Sequence, residues 1–175
     1  VFLNAFYVEP AQRAAIHAKL KRNGATALFV YAPGYLGPEG ESLAAMESLI
    51  GIHIAKDDRP GKSQLVLEAA DPLARGLDPA VPIGSARQVV SPRFYADDPG
   101  ARVAGRLVEG GQPGLAIKRQ DGWTAVYSGA MPLRPALMRN LARQAGVHLW
   151  LDSDDALYTD GQTVGIHAAS AGTKT

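Results

Sequence analysis

A chain of 175 residues, 46% apolar and 20% charged, carries enough hydrophobic sequence for one packed domain and lies far from the composition of a disordered or fibrous protein. Eighteen basic residues against seventeen acidic ones leave a formal charge of +1, so no global field attracts nucleic acid or an anionic membrane surface. The lack of cysteine removes disulfide scaffolds, thiolate zinc sites and cysteine nucleophiles, and leaves the compartment open.

In chain order, Val1-Phe2-Leu3-Asn4 reads as a buried strand already under way, which suggests a chain cut from something longer. Pro10 at a first turn, Ile16 and Leu20 one turn apart and Gly24 beyond the end predict a helix near 10–23. Thr26 to Tyr31 is a continuous apolar run bounded by Gly24 and Pro33, as in a strand buried on both faces, and it falls far short of the roughly 20 residues that span a bilayer. Strand, helix and strand within this stretch make a βαβ unit with a parallel pairing. A loop rich in glycine and proline follows, then Leu43, Met46 and Ile50 at helical spacing before Gly51, predicting a helix near 40–50. Short strands are expected at Gln64–Glu68, Arg87–Tyr95, Ala101–Val108, Leu115–Arg119 and Thr124–Tyr127, with a hairpin turn at Gln120-Asp121-Gly122. A last helix is expected over Arg134–Ala145, and strands at His148–Leu151, Ala156–Tyr158 and Thr163–Ala169, the latter two joined by a turn at Asp160-Gly161.

No motif completes a catalytic set. Gly61-Lys62-Ser63 has the tail of a phosphate-binding loop, but Lys56 stands where the first glycine is required, so a simple turn is expected. Gly34, Gly37 and Gly40 lack the dinucleotide-binding spacing. Counting from Asp152, the fifth and sixth positions of a calcium loop fall on Ala156 and Leu157, and the four histidines form no close pair, so no metal site is assigned. Ser128 precedes a helix but lacks the glycine of a nucleophile elbow two residues before it. Trp123 and Trp150, in or beside strands, are expected in the core. One location has a physical claim to binding: Pro33, Gly34 and Tyr35 follow a parallel strand at its carboxyl end, where open α/β sheets gather ligands.

Phe2-Leu3-Asn4-Ala5-Phe6, Tyr31-Ala32-Pro33-Gly34-Tyr35, Tyr127-Ser128-Gly129 with the helix Leu137 to Gly146, and the closing pair Asp155-Ala156-Leu157-Tyr158 and Val164-Gly165-Ile166-His167-Ala168 together resemble one family. It is the glutamine-amidotransferase-like domain of large bacterial glycoside hydrolases, related to the trimerisation domain of certain β-galactosidases. The resemblance implies an α/β, flavodoxin-like three-layer sandwich with a mixed sheet and extra antiparallel β segments, spanning 1–175 as a single domain that lacks its N-terminal strand or strands. It also implies a non-catalytic accessory role, with a catalytic (β/α)8 barrel elsewhere in the same parent protein, a homo-oligomer, possible contact with carbohydrate, and no cofactor. Without cysteine, glutamine hydrolysis by the family's thiol route is excluded. The candidate ligand or interface residues are therefore Pro33, Gly34, Tyr35, Asp155 and His167. The competing expectations are a self-contained hydrolase using Ser128, His167 and an acid such as Asp155, and a sugar-binding module with a tryptophan platform.

Overall fold

The computed structural model describes residues 1–173. Helix α1 (Pro10–Arg22) leads to β1 (Thr26–Val30), a short hairpin β2 (Leu36–Gly37) and β3 (Gly40–Glu41), and helix α2 (Leu43–Ile50). Strands β4 (Ile54–Asp57) and β5 (Gly61–Leu67) follow, then a 3₁₀ turn at Pro72–Ala74, and strands β6 (Ile83–Val90), β7 (Arg93–Ala96), β8 (Arg102–Leu107), β9 (Pro113–Arg119) and β10 (Thr124–Ser128). Helix α3 (Pro135–Gln144) and the hairpin β11 (Ala156–Thr159) and β12 (Val164–His167) complete the order.

Local chemistry sets the helix ends. The Glu9 amide donates to Gln12 Oε1 at 2.9 Å, closing a capping box before Pro10. Ser42 Oγ accepts from the Ala45 amide at 3.1 Å, and Gly51, at φ +75°, ends α2 in the left-handed conformation that glycine adopts without steric cost.

Six strands form the central sheet in the order β1-β10-β9-β8-β5-β6. The β1/β10 pairing is parallel, Leu28 opposite Val126, and the other pairings are antiparallel. The alternation of a pleated strand splits the core in two. Ala27, Phe29, Ala125 and Tyr127 point to one face, where Met46, Leu49 and Ile50 of α2, Ile16 and Leu20 of α1, and Ile54 and Phe94 of the separate β4–β7 pair cover them. Leu28, Val30 and Val126 point to the other, against Leu137 and Leu141 of α3 and Leu73 of the 3₁₀ turn. The chain is thus a mixed α/β structure with helices on both faces of a mixed sheet and extra antiparallel pairs.

Several expectations need correction. The opening residues form no strand: Phe2 makes a single parallel bridge to Phe29 and stacks on its ring at 4.8 Å, while Val1 and Leu3 are exposed because only one face of this segment meets protein. His148–Leu151 is irregular, and acidic side chains just beyond it pair with α3 in place of a ladder. Arg87–Tyr95 divides at Ser91-Pro92 into β6 and β7, which belong to different sheets, since proline has no amide to continue a ladder. Gly61-Lys62-Ser63 opens β5 and is not a turn. Trp123 is buried as expected, but Trp150 is 54% exposed, edge-on to His148.

Candidate functional site

The crevice beyond the carboxyl end of β1 begins with a strained residue. Tyr31 has φ +68°, a conformation that costs a non-glycine residue about 1–2 kcal/mol. Four interactions hold it: its amide donates to the Ser128 carbonyl, its own carbonyl accepts from the Tyr127 hydroxyl, its hydroxyl donates to the Pro92 carbonyl, each at 2.8 Å, and its ring packs edge-on to Phe94. The residues that follow turn inward. Ala32, Pro33, Gly34 and Tyr35 are all buried, and the N-terminal segment runs across them: the Gly34 amide donates to Ala5 O and the Leu36 amide to Phe6 O, both at 2.8 Å. Gly34 is required here, because its φ is +69° and a Cβ would lie 2.9 Å from Leu49 Cδ2. The Tyr35 ring lies 4.9 Å from Phe94 and its hydroxyl donates to Glu41 Oε2 at 2.8 Å. Burial raises the pKa values of Tyr31 and Tyr35, and that of the fully enclosed Tyr127 well above its ordinary range, so these phenols stay neutral past the usual value.

Two clefts open along this loop and share Glu41. The smaller, about 170 Å³, is aromatic, lined by Phe6, Tyr31, Tyr35, Pro92 and Phe94 among others. The larger, about 370 Å³, lies between the start of α1 and the β2–β3 hairpin, with Arg13, Glu39, Glu41 and Ser42 among its wall residues. Arg13 Nε is buried there without a hydrogen-bond partner among the described residues, an arrangement that folded proteins seldom leave unused. A cation, two carboxylates and a neighbouring aromatic wall are the groups that bind polyhydroxylated molecules, the charged groups taking hydroxyl hydrogen bonds and the rings taking C–H faces.

The clefts lie along the loop expected from the sequence, and residues outside that loop line them as well. Tyr35 lines the aromatic cleft, Pro33 and Gly34 are buried in the loop beside it, and Arg13, Glu39 and Glu41 line the larger cleft. The available signal was spacing: Glu41 lies six residues after Tyr35, within reach of its hydroxyl across a tight hairpin.

Asp155 and His167 lie elsewhere. Asp155 sits at the base of the β11–β12 hairpin, where Oδ1 accepts from the Ala169 amide and Oδ2 from the Ser153 hydroxyl, each at 2.6 Å, and His167 is exposed on β12. Ser128 is completely buried in β10, its hydroxyl donating to Ala130 O at 2.9 Å. The three groups considered for hydrolysis are therefore not brought together: one is sealed in the central sheet and two belong to a separate hairpin. Among the described residues no group of three or more His, Asp or Glu is placed to hold a metal ion, and no helix is long and apolar enough to cross a membrane.

No family model matches the sequence, and no characterised protein matches it by sequence. Solved structures do match. The cold-adapted β-galactosidase from Rahnella sp. R3 superposes with a TM-score of 0.63 at 14% identity, covering 93% of this chain and 26% of that one. This chain has the fold of part of a β-galactosidase. The β-galactosidase from Bacillus circulans sp. alkalophilus gives 0.63 at 15% identity, covering 91% of this chain and 25% of that one. Gan42B, a GH42 β-galactosidase, gives 0.57 at 12% identity over 88% of this chain and 22% of that one. The chain spans about a quarter of the length of the enzymes it resembles.

Proposed function

We propose that these residues form a non-catalytic accessory domain of a carbohydrate-active enzyme, flanking a sugar site built mainly by a catalytic (β/α)8 barrel elsewhere in the same protein. The observation that carries this reading is the fold match, nearly complete for this chain and about a quarter of each β-galactosidase. Two features of the molecule support it: the separation of Ser128 from Asp155 and His167, and the two clefts at the end of β1, one lined in part by Arg13, Glu39 and Glu41 and the other by aromatic rings. The finer assignment is an amidotransferase-like, flavodoxin-derived domain of the kind that assembles β-galactosidases into trimers. The parallel neighbours Phe2, β1 and β10, crossed by α1, support a doubly wound ancestry in which antiparallel strands have replaced the rest of the sheet. Homo-oligomerisation through this domain belongs to the same proposal.

The test uses the full-length protein beside the 175-residue chain. The full protein hydrolyses a β-galactoside and the short chain does not. Arg13→Ala together with Glu39→Ala in the full protein raises KM and leaves kcat near its original value, as expected of a wall that binds without reacting. Hydrolysis by the short chain alone at a comparable rate overturns the accessory reading, and so does a double variant whose kinetics are unchanged and whose sedimentation is unaltered by Tyr35→Ala.

A further inference from the structure

On the opposite face of the sheet from the β1 crevice lies a cleft of about 450 Å³, between α3 and the 3₁₀ turn. Three guanidinium groups, Arg75, Arg139 and Arg143, line it together with a single carboxylate, Asp152. Its floor is Asn140, whose side chain is buried and fully used. Asn140 Nδ2 donates to Leu73 O at 2.9 Å and to Arg75 O at 2.8 Å, and its Oδ1 accepts from Arg143 Nη1 at 2.9 Å. One buried amide thus fixes both the turn that presents Arg75 and the orientation of Arg143. Arg139 is fixed from the other side, donating to Ser153 O at 3.0 Å and Asp154 Oδ1 at 2.7 Å.

The chain already shows what these groups select. The Asp152 carboxylate pairs with Arg143 and approaches Arg139 Nε at 3.6 Å, so a carboxylate from the neighbouring loop sits between two arginines. It does not balance the cleft. Arg75 is exposed at the mouth and has no ion pair or side-chain hydrogen bond among the described residues. A planar guanidinium with its donors free, beside two others on rigid supports, suits bidentate recognition of a flat or tetrahedral oxyanion.

We infer that the α3 cleft is a binding site for the carboxylate or sulfate group of an acidic saccharide, with Arg75 as the free anchor, Arg143 as the fixed partner and Asp152 as an internal competitor. The saccharide part rests on the accessory reading above; the oxyanion part rests on the cleft alone. Asp152 sets the selectivity. It lowers affinity for any weak anion, so that only a ligand able to engage Arg75 and Arg143 together displaces it.

The experiment titrates the 175-residue chain at low ionic strength with D-galacturonate, with D-galactose and with inorganic sulfate, following arginine side-chain NMR signals. Galacturonate and sulfate shift the Arg75 and Arg143 signals and galactose does not. Arg75→Ala, which removes no internal contact, weakens binding about tenfold, the equivalent of one lost charged hydrogen-bonding contact, with the thermal midpoint unchanged. Asp152→Asn tightens it. Galacturonate binding more tightly than sulfate upholds both the site and its saccharide ligand; equal binding upholds the oxyanion site and removes the support it takes from the accessory reading. Affinities that are the same in Arg75→Ala, or no response to either anion, overturn the proposal.

Discussion

The central sheet and the β11–β12 hairpin are both β-structure, yet they are held by different forces. Strand β1 is buried at four of its five positions, and β10 likewise, so their stability comes from apolar area removed from water on both faces. Every residue of β12 is exposed, and Tyr158, Val164 and Ile166 leave large apolar side chains in solvent. The hairpin's order is local: Asp160 Oδ1 accepts from the Gln162 amide at 2.9 Å and the Thr163 amide at 2.7 Å, and Thr159 Oγ1 donates to Thr163 O at 2.8 Å. Arg139 and Arg143 tether its approach segment through Asp152 and Asp154. A pair of strands can therefore be specified by its turn without contributing to the global core, since two strands alone are at best marginally stable in water.

Three perturbations separate the two regions. The largest effect is expected from truncating the sheet: Phe29→Ala removes a fully buried ring and costs about 3–5 kcal/mol in denaturant unfolding, whereas Ile166→Ala on the hairpin changes stability by no more than about 0.5 kcal/mol. Equal losses would show that the hairpin unfolds with the body as one unit. Next comes backbone space. Gly84 has φ +112° and a Cβ there would stand 2.0 Å from the Ser63 carbonyl oxygen, so Gly84→Ala is expected to destabilise the fold by more than about 1 kcal/mol in denaturant unfolding. Gly165→Ala on β12, where the nearest atoms lie at 3.9 Å and beyond, is expected to be nearly silent.

The smallest effect is acid sensitivity. At Asp98 burial alone would raise the pKa, but Lys118 and the amides of His53 and Gly100 outweigh it and hold the carboxyl below its ordinary range. Hydrogen bonds from Arg59, with help from Arg93, do the same at Asp57. A depressed carboxylate stabilises the fold above its unfolded pKa, roughly 3.9, and that contribution fades as pH falls toward the folded value. Asp160 is lowered to about 2, first by the Thr163 amide, so between about pH 4 and that value the hairpin turn loosens. Amide exchange should show protection fading at Gln162 and Thr163 over that interval while β1 stays protected. Simultaneous loss in both regions would refute the separation.

What the sequence disclosed follows the same division. Helices with a proline start and a glycine stop, and strands with unbroken apolar runs, were legible because their signals are local; α1 and β1 lie where spacing puts them. Strand β4 was not anticipated, because Lys56 and Asp57 give it the look of a loop and only pairing with β7 makes it a strand. The opening residues misled for the opposite reason: their apolar run is that of a buried strand, but protein covers just one side. At the candidate site, the loop was legible and the α1 side of its larger cleft was not. Arg13 belongs to α1 and meets Glu39 and Glu41 only through tertiary packing, which no periodicity records.

Tyr31 joins two distant stretches of chain, the end of β10 through Tyr127 and Ser128 and the link between β6 and β7 through Pro92, and it stands beside two further phenols whose ionisation is held back by burial. The consequence appears on the alkaline side. Because these phenols release protons more readily in the unfolded chain, their contribution is intact below about pH 10 and declines as pH rises toward their higher folded values. The crevice wall is thus vulnerable to base, and an ultraviolet titration should find the tyrosinates of residues 31, 35 and 127 emerging together with the collapse of the wall they make.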